Sequence, residues 1–274
     1  MIAMPVLNVC GVALESMQIP ATPERKPKPT LVFLHEGLGS LSLWRDWPAQ
    51  LCAQLKLPGM VYSRQGYGQS APITDVRGEP RVVNGVRQGR LRPDYMHHEA
   101  LTVLPALLQE LEIHKPILIG HSDGGTIALL HASQHPVTAC VVMAPHVMVE
   151  DISVQAITQA RQAFTEGGLR KRLAKFHSDV DGAFWQWNEV WLSADFRRFD
   201  IRREIETITA PLLAIQGEDD AYGTLAQIEE IAHHVPHTQL LKLPQCGHSP
   251  HKDQADLVNA AIARFVSGLS GLGA

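Results

Sequence analysis

The sequence has few cysteines and little charge of either sign. Its 274 residues include 4 cysteines, and 24 Lys and Arg stand against 28 Asp and Glu, so the formal charge is −4. The cysteines form no C-x-x-C pair and are too sparse for a disulfide scaffold, so we expect free thiols and a cytoplasmic location. Without a basic excess, the composition excludes the electrostatic footprint of a nucleic-acid-binding protein.

Long uninterrupted hydrophobic runs are also missing. The segment from Met1 to Leu14 carries no charge, but Pro5 and Asn8 break its apolar run and no basic residue precedes it, which disfavours a signal peptide. The stretch from Gly124 to Val149 also lacks charged residues, yet polar residues and a proline interrupt its middle. A buried helix followed by a buried strand explains this stretch better than a membrane span. We therefore expect a soluble protein with no membrane partner.

Short apolar runs and amphipathic segments alternate along the chain. The runs are bounded by turn residues, which is typical of strands buried on both faces of a parallel sheet. They occupy residues 30–34, 59–62, 116–120, 139–143, 211–215 and 238–243, and two more short strands are predicted around Gly11. The helical candidates are residues 47–55, 97–111, 124–135, 225–233 and 254–267. This alternation predicts an α/β fold with a mostly parallel, eight-stranded type of sheet and helices on both faces.

One segment interrupts the alternation. No strand is predicted in residues 147–206, which we interpret as a helical cap inserted into a core domain of residues 1–146 and 207–274. The cap would lie over the carboxyl edge of the sheet, where open α/β sheets bind ligands. Its aromatic residues either pack the cap internally or face a ligand, and we expect at least one to face it. The candidates for that position are Phe164, Trp185 and Trp187. The irregular stretch 71–93 is predicted to be an exposed loop bordering the entrance.

A G-x-S-x-G motif follows a predicted strand and precedes a predicted helix. It reads Gly120-His121-Ser122-Asp123-Gly124, and the strand–turn–helix context is the one that a nucleophile elbow requires. Residues two positions on either side of the serine must be small because the turn is tight. We therefore expect Ser122 to project from the strand end as a nucleophile, with the amide of Asp123 free to donate.

A serine hydroxyl needs a base and an acid that orients the base. In this type of elbow the chain order is serine, acid, histidine, and two later strand ends supply both groups. We predict His248 as the base and Asp220 as the acid. The competing residues in the same two loops are His251, Asp219 and Glu218.

The loop after the strand at residues 30–34 is the candidate for the second oxyanion donor. It is rich in glycine, which allows close approach of the backbone to a ligand, and we predict the amide of Gly37 as the partner of the Asp123 amide. A carboxylate from Glu36 facing the oxyanion would raise the barrier. We expect Glu36 to point away from it, toward Arg45 or Arg64.

These motifs together resemble the α/β-hydrolase superfamily over residues 30–266. The matching segments are 35–39 with Trp44-Arg45, 66–70, 120–124, 217–220 and Gly247-His248. The resemblance implies a triad of Ser122, His248 and Asp220, with the amides of Gly37 and Asp123 as the oxyanion hole. Two departures stand out: Glu36 replaces a usual glycine, and Ser63 stands where an aspartate is frequent. A serine nucleophile excludes haloalkane dehalogenases and epoxide hydrolases, which use aspartate at that position.

The 14 histidines raise the question of a metal site. The pairs with suggestive spacing are His97-His98, His131 with His135, and His233-His234, but no third ligand with matching spacing accompanies any of them. We predict no metal and no cofactor. His121 is expected to pack beside the sheet. The candidate pocket residues are Glu36, Leu38, His146 and Tyr222, together with the cap aromatics Phe164, Trp185 and Trp187.

The motifs predict a cofactor-independent serine hydrolase that cleaves a small or medium carboxylic ester, thioester or lactone through an acyl-enzyme on Ser122. Two alternatives stay open. One is a carbon–carbon bond hydrolase or an acyltransferase with the same triad, and the other is a ligand receptor that retains a silent triad. The expected partner is a small-molecule substrate, and the residue pattern indicates no particular oligomeric state.

Overall fold

The structure, a computed structural model, describes residues 6–21 and 28–269. The beginning of the Met1 to Leu14 segment lies outside the described residues. So do most of the turn before the strand at 30–34 and the two chain ends of the predicted core domain.

The described residues form a sequence of strands and helices close to the predicted one. The strands are β1 (Val6–Val9), β2 (Val12–Ile19), β3 (Leu31–Leu34), β4 (Gly59–Tyr62), β5 (Arg81–Val83), β6 (Val86–Gln88), β7 (Ile117–His121), β8 (Ala139–Met143), β9 (Leu212–Gly217) and β10 (Gln239–Leu243). The helices are α1 (Trp47–Leu55), α2 (Tyr95–His98), α3 (Leu104–Glu110), α4 (Asp123–Gln134), α5 (Asp151–Thr165), α6 (Gly168–Leu173), α7 (Val180–Trp191), α8 (Ala226–His234), α9 (Pro250–Asp253) and α10 (Ala255–Ser267). A π-helical turn at Glu99–Val103 joins α2 to α3.

Eight of the strands form one sheet in the order β1-β2-β4-β3-β7-β8-β9-β10. The pairs from β4 through β10 are parallel, and the two pairs that involve β2 are antiparallel. This arrangement confirms the predicted α/β fold with a mostly parallel, eight-stranded sheet. Because the strands run in parallel, the ends of β3, β7, β9 and β10 meet at one edge of the sheet.

The strands β3, β4, β7, β8 and β9 are buried on both faces, as their continuous apolar runs predict. The edge strand β10 is mostly exposed, so the prediction of burial on both faces was wrong for the run at 238–243. In β7, Leu118 packs into one hydrophobic cluster while Ile117 and Ile119 pack into the other, on the opposite face. The side chains of Leu31 and Phe33 in β3 join the second cluster. Successive strand residues point to opposite faces, so a strand without polar residues requires a layer of helices on each side.

The chain between β8 and β9 contains helices α5, α6 and α7 and short 3₁₀ turns. An isolated bridge between Met148 and Asp200 joins the two ends of this segment. Helix α7 begins after Asp179, whose side chain accepts a hydrogen bond from the amide of Gly182 at 2.8 Å, as an N-cap residue does. These helices lie within residues 147–206, the segment that we interpret as the cap, and the name is kept for that segment.

The stretch 71–93 differs from the exposed loop that we predicted. It contains an antiparallel hairpin of β5 and β6, with Val83 paired to Val86. The two residues between them, Asn84 and Gly85, have φ of 50° and 81°. Asn-Gly between short apolar strands is a strong signal for a two-residue hairpin turn, and the sequence carried that signal.

The uncharged stretch from Gly124 to Val149 forms most of α4 and then β8, as expected. Within the described residues, no helix combines the length and the apolar character needed to cross a bilayer.

Candidate active site

Ser122 lies on a sharp turn between β7 and α4. Its backbone is in a strained conformation, with φ 52° and ψ −121°, which L-residues adopt only where the surrounding structure enforces it. A Cβ atom on Gly120 would overlap Gly124 and Gly125, and one on Gly124 would overlap the carbonyl of Leu34. The close packing that we predicted on both sides of the serine is therefore present.

Ser122, His248 and Asp220 form a continuous hydrogen-bonded chain. The Ser122 hydroxyl lies 2.9 Å from Nε2 of His248. Nδ1 of the same ring lies 2.9 and 2.8 Å from the two carboxylate oxygens of Asp220. Since a carboxylate only accepts, Nδ1 carries the proton and Nε2 is free to accept the hydroxyl proton. The three residues come from the ends of β7, β9 and β10.

Asp220 is the one acid of its loop that is buried. Glu218 and Asp219 are exposed, while Asp220 also accepts hydrogen bonds from the Gln216 amide group and the Tyr222 backbone, both at 2.7 Å. Burial by itself raises the pKa of the Asp220 carboxyl. The hydrogen bond and the charge of His248 outweigh burial and hold the pKa below its usual value. Asp220 is therefore ionised at neutral pH.

The two predicted oxyanion donors are backbone amides without a hydrogen-bond acceptor among the described residues. Asp123 is the first residue of α4, so its amide has no acceptor inside the helix. Gly37 lies in the loop after β3, and among the described residues no acceptor contacts its amide. A Cβ atom on Gly37 would overlap the indole nitrogen of Trp187. The cap residue Trp187 therefore covers the oxyanion loop.

Two residues to which the sequence analysis gave no role in positioning this loop, Arg64 and His177, hold it in place. Arg64, at the end of β4, donates to the carbonyl oxygens of His35 at 2.6 Å and Glu36 at 3.1 Å. The ring of His35 accepts from the Arg64 amide at 3.0 Å, and burial lowers the pKa of His35 well below its usual value. His177 in the cap lies 3.0 Å from the carbonyl oxygen of Leu38. Arg64 had a detectable signal, because it stands two residues after the end of a predicted strand.

We expected Glu36 to point toward Arg45 or Arg64, but its carboxylate contacts neither. It folds back over Gly39 of its own loop, where an added Cβ atom would overlap Oε2 of Glu36. Its carboxylate lies 3.5 Å from Nδ1 of His121 and 3.7 Å from Nζ of Lys252. The guanidinium of Arg64 donates to backbone carbonyl oxygens instead of to the Glu36 side chain. Burial raises the pKa of Glu36, but the neighbouring His121 and Lys252 outweigh this effect and hold the pKa well below its usual range.

His121 connects Glu36 to the catalytic histidine loop. Its Nε2 lies 2.6 Å from the carbonyl oxygen of His248, and its ring is almost completely buried beside the sheet, as predicted. The contact of Nε2 with the His248 carbonyl is a hydrogen bond. The contact of Nδ1 with Glu36 is too long for a good hydrogen bond and is an electrostatic contact.

The structure brings two further predicted pocket residues to the triad. The Tyr222 ring lies 4.7 Å from the His248 ring, centroid to centroid. His146 is buried, its ring lies 5.9 Å from that of His248, and the indole of Trp191 packs against it at 4.9 Å. Burial lowers the pKa of His146 to about 3. The imidazole of His146 is therefore uncharged at neutral pH.

Phe164 and Trp185 are not brought to the triad. Phe164 stacks on Phe184 at 3.7 Å, and Trp185 packs on the edge of this pair and under the guanidinium of Arg77, 4.4 Å from its ring centroid. A small helical cap has little other core, so most of its aromatic residues pack against one another. Of the three cap candidates, the structure places Trp187 alone over the oxyanion loop.

Among the described residues, no group of three or more His, Cys, Asp or Glu side chains could hold a metal ion. Two of the suggestive histidines stack on each other, His131 and His135, at 4.6 Å. The competitor His251 packs between Trp44, Trp47 and His121.

Comparison with known proteins agrees with this geometry. A model of the alpha/beta hydrolase family matches residues 31–261. The chain is 38% identical over 72 residues to a pimeloyl-[acyl-carrier protein] methyl ester esterase of Xanthomonas campestris, a match covering 26% of this chain and only 28% of the esterase. It is 25% identical over 255 residues to an sn-1-specific diacylglycerol lipase of Mus musculus, covering 81% and 83% of the two chains. The crystal structure of an enol-lactonase from Burkholderia xenovorans superposes with a TM-score of 0.71 at 19% identity, covering 96% of this chain and all of that one.

Proposed function

The chain belongs to the alpha/beta hydrolase family and is a hydrolase, and on this basis we propose that it cleaves a small or medium carboxylic ester, thioester or lactone through an acyl-enzyme on Ser122. The observation that carries the proposal is the hydrogen-bonded chain from Ser122 through His248 to Asp220. The esterase and lipase relatives act on acyl esters by their names, which supports the same class of substrate.

The first half of the reaction forms the acyl-enzyme. Nε2 of His248 takes the proton of Ser122 as its oxygen attacks the acyl carbon. The ionised Asp220 holds the ring with its proton on Nδ1 and stabilises the imidazolium that forms. The amides of Gly37 and Asp123 donate to the oxyanion, a contribution of about 10²- to 10³-fold in kcat for each donor in enzymes of this kind. The imidazolium then protonates the leaving group.

The second half hydrolyses the acyl-enzyme. His248 removes a proton from water, which attacks the same carbon through the same oxyanion hole, and Ser122 regains its proton when the acid leaves. This sequence needs no redox chemistry, so the described residues suffice for it.

The surroundings of Ser122 favour an uncharged acyl group. His146 is neutral, Glu36 is turned toward His121 and Lys252, and the nearby rings of Trp187 and Tyr222 are uncharged. A charged acyl group would lose its hydration here without gaining a partner. Ser122 itself is only 6% exposed, so little of its surface is open to solvent.

A fluorophosphonate probe and a substrate panel test the proposal. We expect one covalent label per chain on Ser122, shown by mass spectrometry, and turnover of p-nitrophenyl acetate and butyrate. Ser122→Ala should abolish labelling and lower kcat by about 10⁴-fold or more. Ser267→Ala, at an exposed position in α10, serves as the matched control and should behave as wild type.

The panel also separates the alternatives. It contains short-chain esters, thioesters, a five-membered lactone and a vinylogous diketone. Hydrolysis of the diketone alone would assign carbon–carbon bond cleavage and overturn the ester proposal. Labelling without turnover of any member would point to a receptor.

A further inference from the structure

Asp123 offers its amide to the proposed oxyanion hole, and the same residue places a carboxylate next to the nucleophile. Asp123 is 1% exposed, and its Oδ1 atom is buried without a hydrogen-bond partner among the described residues. The proposed reaction does not use this carboxylate. A negative charge beside a developing oxyanion raises the barrier, so catalysis requires that other groups hold the carboxylate aside.

Tyr95, the first residue of α2, contacts the other carboxylate oxygen. Its hydroxyl donates to Oδ2 of Asp123 at 2.5 Å, a length typical of a hydrogen bond from a hydroxyl to an ionised carboxylate. Tyr95 is itself buried. Burial and the charge of Asp123 raise the pKa of the Tyr95 hydroxyl well above its usual value. The hydroxyl therefore keeps its proton and remains a donor.

The direction of this hydrogen bond is set by the cap. The indole nitrogen of Trp191, the last residue of α7, lies 3.0 Å from the hydroxyl oxygen of Tyr95. An indole N–H only donates, so the hydroxyl oxygen accepts from Trp191 and its own proton goes to Asp123. Phe196 packs against both rings, with its centroid 4.8 Å from that of Trp191 and 5.9 Å from that of Tyr95. A hydrogen-bonded chain thus runs from the cap to the elbow.

Arg64 supplies the positive charge next to the carboxylate. Its Nη2 atom lies 4.0 Å from Oδ2 of Asp123, and the same guanidinium donates to the carbonyl oxygens of His35 and Glu36 in the oxyanion loop. Burial raises the pKa of the Asp123 carboxyl, whereas the charge of Arg64 and the hydrogen bond from Tyr95 oppose this rise. Both groups therefore stabilise the ionised carboxylate where it lies.

We propose that Tyr95 is a positioning residue of the hydrolysis, a role that rests on the proposed function. Its hydroxyl, aimed by Trp191, holds the carboxylate of Asp123 beside Arg64 and away from the oxyanion. The amide of Asp123 then donates without an opposing charge. Without the hydroxyl, a buried carboxylate oxygen loses its partner, and its charge is free to turn toward the oxyanion. Tyr95 acts through Asp123 and needs no contact with the substrate.

Two tyrosine variants test this role. Tyr95→Phe removes the hydroxyl and keeps the ring. It should lower kcat for p-nitrophenyl butyrate by about tenfold or more and change KM less than about threefold, because the hydroxyl acts on the transition state. Tyr62→Phe is the matched control, since Tyr62 is also buried and donates to another buried carboxylate, that of Glu99, at 2.7 Å. The control should keep kcat within about twofold of wild type.

Thermal melting separates positioning from support of the fold. Both variants remove a hydroxyl that donates to a buried carboxylate, so both should melt several degrees lower than wild type. A purely structural role of Tyr95 predicts that kcat falls equally in Tyr95→Phe and Tyr62→Phe. Loss of kcat in both variants, or in neither, would overturn the proposal.

A change of charge at Asp123 tests why the hydroxyl matters. In an Asp123→Asn background, Tyr95 holds an uncharged amide, which cannot repel the oxyanion as a carboxylate does. Adding Tyr95→Phe to Asp123→Asn should therefore change kcat by less than about threefold, against about tenfold or more in the wild-type background. An equal loss in both backgrounds would mean that the hydroxyl only supports packing, and the proposal would be wrong.

Trp191→Phe tests the contribution of the cap. This variant removes the N–H that aims the hydroxyl and keeps an aromatic ring. Without that donor the hydroxyl can turn away from the carboxylate, so kcat should fall by about threefold or more, in the same direction as in Tyr95→Phe. An unchanged kcat would contradict the proposal. The variant also decides the matter if Tyr95→Phe does not fold.

The rate of fluorophosphonate labelling separates this inference from the proposed function. The phosphoryl oxygen of the probe also uses the oxyanion amides, so Ser122 should be labelled more slowly in Tyr95→Phe than in Tyr62→Phe. If wild type is labelled but hydrolyses no ester, the proposed function fails, and the labelling rates still test Tyr95. If esters are hydrolysed and the two variants behave alike, the role of Tyr95 fails and the proposed function stands. A wild-type protein that is neither labelled nor active would refute both.

Discussion

Around Ser122, the side chains divide into those that would move a proton and those that hold others in place. His248 and Asp220 belong to the first group, and His121 and Arg64 to the second, because they contact backbone oxygens of the catalytic loops. Burial lowers the pKa of two neighbouring histidines, to about 3 for His146 and about 2 for His251. These two rings therefore add no positive charge beside His248 at neutral pH.

Asp220 is the proposed acid of the triad, and the neighbouring Asp219 offers a matched control. Asp220→Asn should lower kcat for p-nitrophenyl butyrate by about 10³- to 10⁴-fold, because the amide no longer stabilises the imidazolium and favours the wrong ring tautomer. Asp219→Asn, at an exposed position, should change kcat less than threefold. The reverse ranking in steady-state kinetics would assign the acid to Asp219.

At the scale of elements, the site depends on loops that follow parallel strands and on contacts between those loops. The elbow after β7 packs against the carbonyl of Leu34 at the end of β3, and His121 of the elbow bonds to the loop after β10. Each loop is therefore positioned by contacts with another loop. Substitutions in two contacting loops should then have non-additive effects on stability.

Gly124 tests the fit of the elbow against β3. Gly124→Ala should destabilise the protein by about 2–3 kcal/mol and lower esterase activity, because the new methyl group overlaps the Leu34 carbonyl. Gly168→Ala is the control, since the nearest atom to its Cβ would be Nη1 of Arg172 at 3.9 Å. Urea denaturation should show the control to be as stable as wild type or slightly more stable.

The contact of Glu36 with His121 and Lys252 links the oxyanion loop to the loop of His248, and its contribution to stability should depend on pH. The pKa of Glu36 is lower in the folded than in the unfolded protein, so the ionised carboxylate stabilises the fold above its ordinary pKa of 4.5. That contribution disappears as the pH falls through the lower, folded-state pKa.

Glu36→Gln should therefore lower the melting temperature at pH 7, by about 2 °C for a contribution of about 1 kcal/mol. The difference from wild type should shrink toward pH 3 in a scanning-fluorimetry series. Glu110→Gln, at an exposed position of α3, is the control. A difference that grows as the pH falls would contradict the role of Glu36 as a stabilising carboxylate.

At the scale of the whole molecule, the cap and the sheet form one site together. The cap supplies Trp187 over Gly37, Trp191 against His146, and His177 on the carbonyl of Leu38. The sheet supplies the triad and both oxyanion amides. In the proposed function, substrate selection by the cap and chemistry at the strand ends are therefore properties of different segments.

Trp187 tests the selection of acyl size. Trp187→Leu should raise kcat/KM for octanoyl relative to acetyl p-nitrophenyl esters by about tenfold or more, because it opens space over the oxyanion loop. Trp185→Leu removes an equally large ring that packs at the outside of the cap beside Arg77, so its chain-length profile should match wild type. An unchanged profile in Trp187→Leu would place the acyl group away from the cap.

The parts of the site that depend on turns and strand ends could be predicted from the sequence, whereas its side-chain contacts could be predicted less well. The position of Ser122 followed from local turn chemistry, and those of His248 and Asp220 from strand ends that parallel topology brings together. The sequence analysis missed the β5–β6 hairpin, although the dipeptide Asn84-Gly85 predicts a two-residue hairpin turn. The partners of Glu36 were predicted wrongly, because backbone carbonyls took up the nearby Arg64.

The amino-acid sequence by itself determined the α/β alternation, the elbow and the order of the candidate triad, because strand burial and tight turns are written in short local patterns. Only the tertiary structure decided which cap aromatic covers Gly37 and where the Glu36 carboxylate lies. These features depend on contacts between residues far apart in the chain, and competition among such contacts is resolved only when the whole molecule packs.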